Sequence, residues 1–157
     1  MEIRLATKTE IPGMIDLLRQ VGEVHHQIRP DLFRAGAQKY SEVDLEKLLK
    51  DPSRPIFCAL EEGNLLGYCF CIIEEVTGNP VLCDTKTCYI DDLCVDENCR
   101  GQGIATRLYD HVCSYARSIG CGSVTLNVWY GNDSAMKFYE SRGMKPRKIY
   151  MEASLEG

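Results

Sequence analysis

The stretch Val95-Asp96-Glu97-Asn98-Cys99-Arg100-Gly101-Gln102-Gly103-Ile104-Ala105 joins the end of an apolar, strand-like run to the start of a helical one through a polar loop. Gly101 and Gly103 free the backbone to turn sharply and to aim successive N–H groups at one point. The helix that follows adds its unpaired first-turn amides and the positive end of its dipole. Such a turn suits a phosphate or pyrophosphate; the plain alternative is a glycine turn that only connects strand to helix. Two familiar phosphate loops do not fit: there is no G-x-x-x-x-G-K-[ST], and G-x-G-x-x-G is incomplete.

Outward from the loop, the pattern predicts a strand over 87–95 and a long helix over 104–119, with Leu108, Val112, Ala116 and Ile119 on one face. A strand over 124–129, a helix over 135–142 capped by Asn132 or Ser134 and stopped at Gly143, and a final strand over 148–153 follow. Upstream, Ile3 and Leu5 flank Arg4 in a first strand. Thr7 or Thr9 then caps a helix that takes Pro12 in its first turn and carries the stripe Ile11, Ile15, Leu18, Val21 and His25. Pro30 interrupts it, and Ser41 with Asp44 opens a second helix. Strands over 56–60 and 65–73 are joined by Glu61-Glu62-Gly63-Asn64, a hairpin signal. The expected order is β, two helices, antiparallel β segments, then βαβαβ: a mixed α/β fold around a central sheet.

The 157 residues, 45% hydrophobic and 26% charged, are expected to form one domain over 1–157 with one ordinary core. The net charge of −5 argues against a duplex-wrapping nucleic-acid partner and is compatible with a cationic substrate. No run of apolar residues is long enough for a membrane span. The first residues, Met1-Glu2-Ile3-Arg4, lack a basic region followed by an apolar block, so a cytoplasmic location is expected. The nine cysteines form no C-x-x-C pair and are expected to be buried free thiols in a reducing compartment. Neither they nor His25 and His26 suggest a metal site, and no metal is expected.

Arg100-Gly101-Gln102-Gly103-Ile104-Ala105 fits Q/R-x-x-G-x-G/A, the acetyl-CoA signature of the GNAT family of N-acetyltransferases. Ala105, where many members carry a second glycine, is a small departure within the pattern. Tyr89-Ile90-Asp91-Asp92-Leu93-Cys94-Val95 resembles that family's fourth strand, and it is similar to diamine acetyltransferases without selecting a polyamine. Asn132-Asp133-Ser134-Ala135-Met136-Lys137-Phe138-Tyr139-Glu140-Ser141-Arg142-Gly143-Met144 resembles its N-x-x-A-x-x-F-Y-x-x-x-G-[FM] segment. The three blocks stand in family order between about residues 87 and 146.

The resemblance implies a GNAT-like acyl-CoA N-acyltransferase fold: a central mixed, mostly antiparallel sheet, splayed at the acetyl-CoA site and flanked by helices. It implies direct attack, in a ternary complex, of a primary amine on acetyl-CoA, the amine being a small amine, a polyamine or a peptide or protein amino group. Pantetheine would lie in the splay like an added strand, with main-chain contacts from Leu93 and Val95. The amides of Gly101, Gln102, Gly103, Ile104, Ala105 and Thr106 would hold the pyrophosphate. Arg100 would help the phosphates or fix the loop, and Asn132, with Ala135, would contact the cofactor arm or cap its helix.

An alkylammonium has a pKa of roughly 10, so a base is useful. Asp91 and Asp92, adjacent on a strand, are expected to point to opposite faces. By resemblance Asp91 is the base or base relay and Asp92 a structural partner. A strand-edge amide near Leu93 or Cys94 would stabilise the oxyanion, and Tyr139 would be the general acid for the leaving thiolate. Cys94 is better explained by packing than as a covalent carrier. His25 lies on the apolar stripe, whereas His26 is a candidate for substrate binding or proton relay. A non-catalytic acetyl-CoA or CoA sensing module is the alternative from another class. Monomer or homodimer is left open, an exposed final strand being able to support pairing.

Overall fold

The computed structural model describes residues 1–156, in two compact units, one of residues 1–127 and one from Val128 onward. In the first unit β1 (Glu2–Leu5) runs into a 3₁₀ turn and α1 (Ile11–Ile28). The Thr7 hydroxyl and the Glu10 carboxylate form a capping box there, and Pro12 falls in the first turn of α1, where its missing N–H costs nothing. Helix α1 ends just ahead of Pro30. Ser41 and Asp44 form a second capping box at the start of α2 (Glu42–Leu48).

β2 (Ile56–Glu61) and β3 (Asn64–Val76) meet through a two-residue turn in which Glu62 and Gly63 take φ of 50° and 79°. Both central residues of such a hairpin need positive φ, which Gly63 adopts without strain. β4 (Thr85–Val95) pairs antiparallel with β3, and α3 (Ile104–Ser118) leads to β5 (Ser123–Leu126), which pairs parallel with β4. The sheet order is β1-β2-β3-β4-β5, antiparallel except for its last pair.

One face of the sheet packs Ile56, Cys58, Tyr68, Phe70 and Cys94 on Met14, Leu17 and Leu18 of α1 and Leu45 of α2. The other takes α3, where Phe57 meets His111 and Tyr115 with ring centroids 5.0 and 5.1 Å apart. The period-2 alternation of β2 divides Phe57 from Cys58 in this way. A Cβ at Gly67 would lie 2.8 Å from the Cys94 carbonyl oxygen, so glycine is what lets β3 lie this close to β4.

In the second unit α4 (Asp133–Ser141) follows Asn132, whose side-chain oxygen accepts from the Ala135 amide at 3.3 Å. Two strand expectations are corrected. The fifth strand spans 123–126 rather than 124–129. The final strand expected over 148–153 is not formed: residues 145–156 take neither helix nor strand, and Ile149, Tyr150 and Met151 are 80%, 97% and 81% exposed. Those three consecutive apolar residues break the alternation that a half-buried strand requires.

Candidate active site

The bulge in β4 sets the site. Phe70 pairs with Asp92 and Cys71 with Ile90, so Asp91 is an extra residue with no partner on β3. β5 pairs with β4 from Thr87 to Ile90 and stops at that bulge. From Asp91 to Val95, therefore, β4 keeps β3 on one side and lacks β5 on the other. The Asp96 amide donates to the Leu66 carbonyl oxygen at 2.8 Å. Because an antiparallel strand aims alternate residues at each neighbour, Asp92 and Cys94 face β3 and Leu93 and Val95 face outward. These two residues lie on the side of β4 that β5 leaves uncovered.

Beyond Val95 the chain bends through Asp96, whose carboxylate accepts from the Asn98 amide at 2.9 Å, into the glycine turn. Gly101 and Gly103 take φ of 81° and 75°, and a Cβ at either would meet nothing within 4 Å. Glycine is required here for conformation, not for space. Gly103 offers α3 no side-chain cap, and the first helix bond runs from the Arg107 amide to the Gly103 oxygen at 3.1 Å. The amides of Ile104, Ala105 and Thr106 thus turn outward at the positive end of the helix. Ile104 buries its side chain in the core, so only its backbone can serve a ligand. Arg100 is exposed and, with Arg19, Glu23 and Glu97, walls an open depression of about 440 Å³ beside α1.

The bulge also overturns the expectation that Asp91 and Asp92 point to opposite faces. Asp92 accepts from the Tyr68 hydroxyl at 2.6 Å, and Asp91 accepts from the Tyr40 hydroxyl at 2.9 Å. Tyr40 and Tyr68 both pack on Phe70, with centroids 5.6 and 4.6 Å away, on the α1 side of the sheet. One extra residue resets the period-2 alternation, so two neighbours in sequence share one face. Lys39 Nζ lies 3.0 Å from each Asp91 oxygen, and the Asp91 side chain is only 13% exposed. Arg54 donates to the Tyr40 hydroxyl at 3.2 Å.

These neighbours shift one another's protonation. Burial lifts the Asp92 carboxyl to about 6, although the Tyr68 hydroxyl and the Lys39 charge pull the other way. Burial alone would lower Lys39, but the Asp91 carboxylate more than offsets it and holds the ammonium charged. Tyr40 is raised by burial and by donating to Asp91. Cys94 lies against the Leu17 carbonyl oxygen, and burial together with the Asp92 charge pushes its thiol up to about 12. A thiol so held is a packing group rather than a nucleophile.

His26 Nδ1 lies 2.6 Å from the Phe33 carbonyl oxygen and ties the end of α1 to the turn after it. His25 packs on the Phe33 ring, and burial with the nearby Lys39 charge lowers its pKa. In the second unit Tyr139 is half-buried on α4, with its ring 5.1 Å from that of Phe138. Asn132 caps α4, and the Ala135 amide is its partner. Lys39, Tyr40, Arg54 and Tyr68 are the members of the carboxylate network that sequence reading missed. They belong to no motif, and Lys39 lies 52 residues from Asp91 in sequence.

Comparison with known proteins bears on this arrangement. The model of the acetyltransferase (GNAT) family matches residues 22–144. The chain is 23% identical, over 99% of its length and 96% of the relative's, to a glucosamine 6-phosphate N-acetyltransferase of Trypanosoma brucei brucei. Among solved structures it is similar to a mutant of the BH1408 protein from Bacillus halodurans, with a TM-score of 0.95 and 30% identity over 99% of this chain and 100% of that one. An aminoglycoside acetyltransferase from an uncultured soil metagenomic sample, in complex with sisomicin, shares the fold at a TM-score of 0.73. It is 22% identical, over 99% of this chain and 96% of that one.

Proposed function

Because the chain belongs to the acetyltransferase (GNAT) family, we propose that it is an N-acetyltransferase that moves an acetyl group from acetyl-CoA to a primary amine in a ternary complex. The observation that carries this reading is the outward-facing edge of β4 at Leu93 and Val95, continuous with a glycine turn and an uncapped helix start. An extended amide-bearing arm followed by a pyrophosphate matches that sequence of groups: strand-edge donors and acceptors first, converging amides second. The residues present therefore fit acetyl-CoA. Leu93 and Val95 would hold its arm, and the amides from Gly101 to Thr106 its pyrophosphate, with Arg100 adding charge beside Arg19. Asn132 and Ala135 are proposed to complete the cofactor contacts. When bound, acetyl-CoA supplies an acetyl group activated as a thioester.

The chain's own residues handle the acceptor and the protons. Asp91, with Tyr40 beside it, binds an ammonium and accepts or relays its proton. Asp92, lifted to about 6, gives the same face a second carboxylate able to exchange a proton near neutral pH. Tyr139 is assigned as the donor to the departing thiolate, and His26 to the acceptor side. The acceptor class stays a small amine, a polyamine or a peptide amine. The relatives named for glucosamine 6-phosphate and for aminoglycosides favour amino sugars as first candidates. The free thiols suit a reducing, cytoplasmic setting.

Release of CoA thiol from acetyl-CoA is the test, followed over a panel of glucosamine 6-phosphate, an aminoglycoside, a polyamine and a lysine peptide. At least one amine is expected to accelerate release well above the amine-free rate. Binding of acetyl-CoA without acceleration by any amine would instead mark a non-catalytic CoA-binding module.

A further inference from the structure

An ammonium already stands on the proposed base. Lys39 Nζ is equidistant, at 3.0 Å, from both oxygens of Asp91, and Asp91 is the bulge residue at which β4 loses its parallel neighbour. The Tyr40 hydroxyl donates to the same carboxylate, so the group is organised around a cation. Lys39 arrives from residues 29–41, which carry no helix or strand, and its side chain is about half exposed. Lys86, by contrast, is tied to the Ile119 carbonyl oxygen and to Glu75, the residue paired with it across β3.

We propose that Lys39 is an acetylation site of this chain, modified by transfer from acetyl-CoA bound to the same molecule. The inference rests on the N-acetyltransferase reading above and adds an acceptor of stated chemistry, a lysine ε-amine held at Asp91. In the step, the ammonium gives one proton to Asp91 or to water, and the neutral Nζ forms a bond to the acetyl carbon. The thioester C–S bond breaks with its electron pair on sulfur; Asp91, its first proton passed on to water, takes the second proton from nitrogen, and the thiolate takes up a proton from water. The ion pair keeps Lys39 charged, which slows the step. Confinement beside the β4 edge raises the effective concentration of the amine, which favours it. The product amide carries no charge, so Asp91 and the Tyr40 hydroxyl are left to an external ammonium. Acetylation of Lys39 thereby changes the acceptor subsite from self-occupied to open.

The test uses the full chain with acetyl-CoA as the sole added reactant and maps acetyl groups on every lysine peptide by mass. A heat-denatured sample supplies the rate of chemical acetylation, and calorimetric titration of the native sample reports acetyl-CoA binding. Lys39 is expected to label roughly a hundredfold faster than the other lysines, at a rate unchanged on dilution of the protein. Asp91→Asn is expected to slow that labelling by about a hundredfold while acetyl-CoA still binds. Lys39→Arg, which keeps the charge on Asp91, should lose the fast-labelling position and leave the other lysines unchanged. If acetyl-CoA binds and Lys39 labels no faster than its neighbours or than the denatured chain, the proposal is overturned and the cofactor reading stands. If acetyl-CoA does not bind, both fall together.

Discussion

Asp92 and Glu10 are both carboxylates within the fold, and their environments push them in opposite directions. Asp92 rises to about 6 because burial penalises its charge, so the protonated form is the one the fold favours. Its stabilising contribution is complete below the unfolded value near 4 and is lost as pH rises through about 6. Thermal melts from about pH 4 to about pH 7 should show Asp92→Asn gaining on the parent as pH increases. A constant difference over that window would contradict the assignment. Glu10 falls to about 2 because Arg4, 2.8 Å away, and the Thr7 amide and hydroxyl bind its ionised form. Its contribution is present above the unfolded value of about 4.5 and lost as pH falls toward 2. Glu10→Gln is expected to cost roughly 2 to 3 kcal/mol at neutral pH and little near pH 2, measured by denaturant unfolding. Tyr139→Phe, under the proposed acid role, should lower kcat by a factor on the order of a hundred and leave acetyl-CoA affinity almost unchanged. Loss of affinity with turnover intact would contradict that role. Asp91 stood out in the sequence because it sits in a recognisable strand, whereas Lys39 and Tyr40, which the fold brings onto its carboxylate, did not. The placement of Lys39 and Tyr40 depends on how residues 29–41 fold back, and no local pattern encodes that.

Among the elements, helix ends were the most legible, because caps are chemical statements made within four residues. Of the two caps offered, Thr7 and Thr9, it is Thr7 that caps, and Ser41 with Asp44 closes its box as the sequence implies. The strand alternation misled at one place. A bulge is invisible to a period-2 reading, and it is the bulge at Asp91 that turns Asp91 and Asp92 to one face. The expected final strand failed for a related reason: a strand is defined by its hydrogen-bonded neighbour, and a short apolar run does not name one. The glycine turn supports a prediction of its own. Gly101→Ala and Gly103→Ala meet no steric obstacle but force a side chain into left-handed backbone at φ of 81° and 75°. Each should destabilise the fold by about 1 to 2 kcal/mol. Each should also weaken acetyl-CoA binding beyond what the melting shift explains, because the amides no longer converge. Equal affinity in parent and variants would remove the turn from the binding site.

Taken as a molecule, the chain places a break in its own sheet beside a helix start, and the proposed chemistry rests on that juxtaposition. Pairing of β4 with β5 ends at Ile90, and the unpaired edge leads without interruption into the turn that opens α3. Order and connectivity of these elements could be read from the spacing of the blocks around residues 87–126. The length of β5, and so the point where the splay opens, could not, because it depends on where two strands part. The central claim is that this edge and turn receive acetyl-CoA. The most direct measurement is backbone amide NMR of the full chain during titration with acetyl-CoA, with ATP and NAD as controls. Saturable shifts concentrated at Leu93, Val95 and the amides from Gly101 to Thr106, produced by acetyl-CoA and not reproduced by either control, are the predicted result. Shifts that leave those amides untouched, or that either control reproduces in full, would contradict the account.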